Sequence, residues 1–191
     1  MKIINKEELK ELILDGITTE ELKAYDYSGV THMNLMFNNC KSLTTIPELD
    51  TSNVVDMGSM FEGCSSLETI PKLDTSNVIN IEGMFSDCTS LTSIPFLNTS
   101  NVVNMSYMFY GCSSLETIPF LDTSKVNKIY YMFYDCTSLT SIPFLDTSKD
   151  THLDSMFYDC SNLEHCFYDG RINYNKTNSV KLKQNYPEYF I

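Results

Sequence analysis

One 24-residue period governs most of this chain. Met-Phe recurs at 36–37, 60–61, 84–85, 108–109, 132–133 and 156–157, and Cys falls at 40, 64, 88, 112, 136 and 160. Leu recurs at 43, 67, 91, 115, 139 and 163, and Pro at 47, 71, 95, 119 and 143. No insertion breaks the register, which gives five complete units and a sixth that decays after Leu163. A unit this short cannot bury its own apolar face. Stacked in register, each apolar position is buried against its copies above and below, so the period predicts a solenoid.

Within a unit, Val102, Met105, Met108, Phe109 and Cys112 lie about 3.5 residues apart, which predicts a short amphipathic helix facing inward. Ser113-Ser114 turns the chain, and Leu115-Glu116-Thr117-Ile118 is the segment suited to a very short parallel strand. Pro119 lacks an N–H and is expected to end that strand. Asp122-Thr123-Ser124-Lys125 should form the turn and cap the next helix. The expected class is therefore an α/β solenoid of short parallel strands and short helices.

The elements LDTSNV, NMSYMFYGC and CSSLETIP, present in slightly varied form from residue 97 on, resemble the BspA-like class of bacterial leucine-rich repeats. The resemblance covers residues 27 to about 166. It implies a leucine-rich repeat stack and, since members of that class are typically secreted or surface-anchored, an extracellular adhesin-like surface domain binding host or matrix proteins.

A stack needs capped ends. Residues 1–26 are expected to supply a helical N-terminal cap, with capping-box patterns at Asn5/Glu8 and Thr18/Glu21, a helix stop at Gly16, and an inward face of Leu9, Leu12 and Ile13. Residues 27–166 hold the six repeats. Residues 167–191, with Tyr174, Val180, Leu182, Tyr186, Tyr189 and Phe190, are expected to fold back as an irregular C-terminal cap, a partner-binding tail being the alternative.

Charge narrows the function classes. The net charge is −12, and residues 27–166 carry 5 Lys/Arg against 16 Asp/Glu. Such a surface repels phosphate backbones, so direct nucleic-acid binding is not expected. It suits a basic protein partner, or serves solubility alone. No stretch approaches the roughly 20 apolar residues of a membrane span, and the N-terminus builds no apolar signal region. The expected location is cytoplasmic, or extracellular if a leader was removed.

Chemistry-bearing residues do not converge. Six of the seven cysteines are spaced by the repeat and Cys166 replaces an Ile, with no CxxC pair. They read as buried free thiols serving the core, as in a reducing compartment. Asp50, Asp74, Asp122 and Asp146, with Asn98 completing the column, read as turn caps rather than a calcium ladder. His32 and His152 share one position at opposite ends of the stack, and neither they nor His165 has a Cys or Ser partner at an interpretable spacing. With no phosphate loop or nucleophile elbow, neither an enzyme, a cofactor nor a metal is expected.

Columns that vary between copies are where a partner should be sought. The residue two after Ile runs Glu48, Lys72, Phe96, Phe120, Phe144, Tyr168. Charged residues early in this column predict that it faces solvent, so Phe96, Phe120 and Phe144 should form an exposed stripe. The residue after Met-Phe runs Asn38, Glu62, Ser86, Tyr110, Tyr134, Tyr158, and three positions earlier come Leu35, Ser59, Gly83, Tyr107, Tyr131, Ser155. Tyr107, Tyr110, Tyr130, Tyr131, Tyr134 and Tyr158 should then share an outer helix face. Aromatic enrichment marks interface cores, so the expected function is a non-enzymatic protein-binding scaffold acting through these residues, with self-association through the stripe as a variant. The alternative readings are the adhesin-like domain and a small acidic inhibitor of a basic host protein, of the kind a virus or mobile element encodes. The alternating Thr44, Glu68, Thr92, Glu116, Thr140 and Glu164 column points instead to a duplicated 48-residue block.

Overall fold

The structure is a computed structural model in which residues 1–149, 155–168 and 184 are described, 165–168 as backbone. The element order is β1 (Lys2–Ile3), α1 (Lys6–Leu14), α2 (Thr19–Leu22), β2 (Tyr25–Asp26), β3 (Ser141–Leu145) and β4 (His165–Tyr168). Both capping boxes form. Asn5 accepts from the Glu8 N–H while Glu8 accepts from the Asn5 N–H, and Thr18 and Glu21 do the same. Gly16 has φ 85° just beyond α1. Leu9 and Ile13 are buried, with Leu12 packed against the core, so α1 covers the open end of the first repeat. β1 pairs in parallel with β2. The proposed cap at 167–191 lies outside the described residues apart from Phe167, Tyr168 and Gln184.

The core is one continuous cluster running the length of the stack, as the period predicts. Its axis is a ladder of phenylalanine rings: Phe37, Phe61, Phe85, Phe109, Phe133 and Phe157 stack with centroids 5.5 to 5.8 Å apart and planes within 13° of parallel. The Met pairs, Leu, Ile and Cys columns close around it.

The helix expected in each repeat is absent among the described residues, and a run of tight turns replaces it. In the second unit the N–H groups of Met60, Glu62 and Cys64 bond within the unit to the carbonyls of Met57, Ser59 and Phe61. The intervening N–H groups, of Met57, Ser59, Phe61 and Gly63, bond instead to Asn80, Glu82, Met84 and Ser86 of the next unit. Half of the donors therefore run along the stack, where an α-helix would use them internally. The turns require left-handed backbone at two places per unit, as at Ser59 (φ 52°) and Gly63 (φ 72°), and no α-helix passes through such residues. A turn every four residues buries Met57, Met60, Phe61 and Cys64 on one side, and that spacing mimics helical periodicity.

The strand expectation also changes. The continuous series of parallel bridges lies at His32, Asp56, Asn80, Asn104 and Lys128, not along Leu-x-x-Ile. In the latter segment the middle repeats show single ladder bonds, such as Glu116 N–H to the Thr92 carbonyl. Among the described residues only β3 and β4 pair there as strands, in parallel. β3 continues through Pro143, which was expected to end it. The register with β4 shifts between Ile142 and Leu145, across the residue that offers no N–H.

Each Asp column member caps a turn rather than a helix. Asp74 and Asp122 accept from the hydroxyls of Ser76 and Ser124 and from their N–H groups, the latter at 3.0 Å, and these bonds, the hydroxyl one first, hold both carboxyls below the usual range. Buried Thr51, Thr75 and Thr99 donate their hydroxyls to the carbonyls of Asp74, Asn98 and Asp122, 23 residues on, where the chain begins its next layer.

The thiols join this network. Cys64, Cys88, Cys112, Cys136 and Cys160 are buried, and each donates S–H to the carbonyl of a Phe in the preceding unit, Phe37, Phe61, Phe85, Phe109 and Phe133, at 2.8 to 3.1 Å. Burial, helped by the neighbouring Cys40, pushes the Cys64 thiol up to about 12, and burial raises Cys88, Cys112 and Cys136 as well. Cys40, in the first unit, is only half-buried. Reaction with a thiolate-directed disulfide reagent, mapped by mass spectrometry, should therefore label Cys40 well before those five, since the thiolate is the nucleophile.

Candidate functional site

The repeat register sets side chains of equivalent positions about 5 Å apart along the stack, so a column that turns aromatic becomes a ring stack. Tyr107 lies on Tyr131 (5.2 Å, 7°), Tyr110 on Tyr134 (4.9 Å, 9°) and Tyr134 on Tyr158 (5.1 Å, 17°). The two columns touch each other through Tyr107–Tyr110 and Tyr131–Tyr134, both at 5.9 Å. Tyr130 stands edge-on to Tyr107 and Tyr131. The six tyrosines thus form one contiguous face, as expected, but they stand on stacked turns and not on a helix. Five are half-buried by one another and Tyr158 is exposed. Burial and the adjacent tyrosines raise the Tyr107 and Tyr134 phenols, which keeps them neutral.

Where the tyrosine columns stop, a groove of about 470 Å³ opens. Tyr107, Tyr110, Tyr131 and Tyr134 form one wall, Glu62, Glu82 and Asp87 supply carboxylates, and Ser59, Gly83 and Ser86 keep the floor small. Gly83 and Ser86 occupy, one unit earlier, the places of Tyr107 and Tyr110. Gly83 has φ 59°, the conformation shared by Tyr107 at 58°, so the backbone there is already shaped for the side chain that is missing.

The carboxylates are placed by backbone packing. A side chain on Gly111 would put its Cβ 2.3 Å from Asp87 Oδ1, so glycine there makes room for the Asp87 carboxylate. Burial, with the charges of Glu62 and Asp135, raises the Asp87 carboxyl above its ordinary value. Protonation of Asp87 is therefore easier in the folded chain. Glu82 accepts from the Asn104 side chain at 2.7 Å. Ser106, between Glu82 and Tyr130 in their column, is fully buried, and its hydroxyl has no hydrogen-bond partner among the described residues.

Phe96, Phe120 and Phe144 are 58%, 57% and 50% exposed. Their flanking Ile94, Leu97, Ile118, Leu121, Ile142 and Leu145 point into the core, which turns the three rings outward. They sit on the other limb of each unit, and among the described residues no ring contact links them to the tyrosines. The side chain of Tyr168 lies outside the described residues. The candidate residues thus divide into two separate surfaces.

The acidic and small residues of the groove were not singled out from the sequence. Their signal was available in the same columns, where Glu62 and Ser86 precede Tyr110, and Ser59 and Gly83 precede Tyr107. Among the described residues no group of three or more His, Cys, Asp or Glu is arranged to hold a metal ion, and no helix is long and apolar enough to cross a membrane.

Among solved structures, the chain is similar to a leucine-rich repeat protein of T. pallidum (TpLRR), with 23% identity and a TM-score of 0.58 over 85% of this chain and 78% of that one. A leucine-rich repeat protein from Bacteroides ovatus ATCC 8483 shares 16% identity over 78% of this chain and 66% of that one, with a TM-score of 0.28. No curated protein matches. The likeness to the T. pallidum protein agrees with the stacked units described above: the fold is a leucine-rich repeat solenoid. A family model matches residues 8–117 and 68–169, most of the chain, which belongs to the family described as Mycoplasma protein of unknown function, DUF285.

Proposed function

We propose that this chain is a non-enzymatic scaffold that binds a protein partner through the aromatic surfaces of its third to sixth repeats. The leucine-rich repeat fold is a repeat scaffold commonly used in protein interaction. The observation that carries the reading is the tyrosine face. Tyr107 and Tyr131 occupy left-handed positions where the other copies carry Leu35, Ser59, Gly83 and Ser155, so the backbone there asks for no aromatic side chain. Core packing does not require tyrosine at either place, since Ser59 and Ser155 fill the same position. Aromatic groups that neither the backbone nor the core requires, and that are left accessible, fit an interface.

The acidic wall of the groove favours a basic partner, which makes a small acidic inhibitor the second reading. The finer assignment to the BspA-like class, and an adhesin role with it, rests on sequence elements alone. The Phe stripe is tested by giving Phe96, Phe120 and Phe144 the residues of their own column, as Phe96→Glu, Phe120→Lys and Phe144→Glu. Because the rings face solvent, the triple variant should melt within a few degrees of the wild type. Proteins retained from lysate of the native source by the wild type should be lost or reduced at least tenfold. Unchanged retention by a folded triple variant would remove the stripe from the interface.

A further inference from the structure

The tyrosine stacks end on open ring faces, and this end is chemically specific. Tyr107 and Tyr110 each have a stacked ring on the side of the fifth repeat, at 5.2 and 4.9 Å. On the side of the third repeat the equivalent positions are Gly83 and Ser86, which carry no ring. The groove occupies that place. A planar group entering it would continue the stack at the same spacing, with Glu62, Glu82 and Asp87 around its edge.

We infer that the groove is a slot for an arginine side chain of a basic partner segment, its guanidinium lying on Tyr107 and Tyr110 and bonding to the carboxylates. The inference rests on the scaffold reading and names the chemistry of its partner. An aromatic or uncharged planar group would satisfy the rings but leave the carboxylates without a counter-charge. A lysine ammonium would satisfy the charge, but it is compact, without a flat face to stack. The guanidinium does both: it is planar, stacks on tyrosine within about 6 Å of the ring centroid, and presents paired donors matching a carboxylate. Asp87 is placed for it, since its carboxylate lies over Gly111, beside Glu62, and remains exposed to an incoming group. The net charge of −12 would draw such a segment in.

The probe is a nine-residue (Gly-Ser-Arg)3 peptide, titrated into the full chain at low ionic strength and followed by calorimetry and by the tyrosine ring signals in NMR. Lysine and citrulline versions of the peptide serve as controls. The arginine peptide should bind saturably, at least about tenfold tighter than either control, and should shift the Tyr107 and Tyr110 signals. Gly83→Tyr should abolish binding, because it fills the slot with the residue its column carries at 107 and 131. Asp87→Asn, a substitution already tolerated as Asn39 in the same column, and Glu82→Gln should each weaken it about tenfold. These two variants keep the test decisive if Gly83→Tyr melts early. Absence of saturable binding, equal binding of the citrulline peptide, or wild-type binding by folded Gly83→Tyr would each overturn the slot. None of these results would touch the scaffold reading, which is decided separately by partner retention in variants of the exposed aromatics. Conversely, peptide binding without any partner lost from those variants would leave the slot standing and the scaffold reading refuted.

Discussion

Phe85→Ala should be the most damaging single substitution in the stack, lowering the unfolding free energy by about 3–5 kcal/mol. Phe85 is fully buried with a parallel ring on each side, Phe61 at 5.7 Å and Phe109 at 5.8 Å. Truncation removes both contacts and leaves a void that the rungs cannot close, since their backbones are tied together above and below by the Phe61 and Phe85 N–H bonds. Stability in a repeat stack is roughly a sum of unit terms and nearest-neighbour interfaces. One substitution therefore weakens two interfaces and should divide the molecule into an N-terminal and a C-terminal block. Denaturant unfolding should show an earlier, broadened transition, and the melting temperature should fall by roughly 6–20 °C for a chain of this size. A loss below about 1 kcal/mol at Phe85 would contradict the ring ladder as the axis of the core.

The second large effect is expected at Gly111→Ala, at about 2–3 kcal/mol. Two independent penalties meet there. Gly111 has φ 69°, where alanine costs about 1–2 kcal/mol, and the new Cβ would lie 2.3 Å from Asp87 Oδ1, so the carboxylate must move. The two are separable by a double-mutant cycle with Asp87→Ala, which removes the clashing oxygen but leaves the dihedral cost. The pair should recover about half of the loss, and urea unfolding of the four proteins measures it. Full additivity would show that Asp87 does not rest over Gly111.

The repeat, its register and its buried columns were legible because they depend on burial alone, and burial repeats wherever the residue repeats. The N-terminal helices were legible because Asn5/Glu8 and Thr18/Glu21 carry their own capping chemistry. The backbone of the repeat was not. Met57, Met60, Phe61 and Cys64 face inward at a spacing that serves an α-helix and a run of tight turns equally well, and what separates them is left-handed backbone at residues such as Leu35 and Ser59, which side-chain type does not announce. Pro143 misled for a related reason, since a ladder that shifts register across the proline loses no bond there. At the candidate site, the tyrosines and the Phe stripe were legible as exceptions to the period. Their separation onto two limbs was not, because it depends on the path of the unit between Cys112 and Ile118. The acidic groove escaped because it is made where a column changes character. Glu62, Gly83 and Ser86 look like ordinary members of polar columns until the rings of the next unit are set beside them.

Partner retention by a Tyr107→Ser, Tyr131→Ser double variant tests the central claim most directly. Both substitutions restore residues found in the same column at Ser59 and Ser155, at the same left-handed backbone, so the fold should be kept, and a melting curve checks this. Side by side with the wild type, the double variant should lose its partner or bind it at least tenfold more weakly. Retention equal to wild type by the folded double variant would contradict the assignment of the tyrosine face as the binding surface.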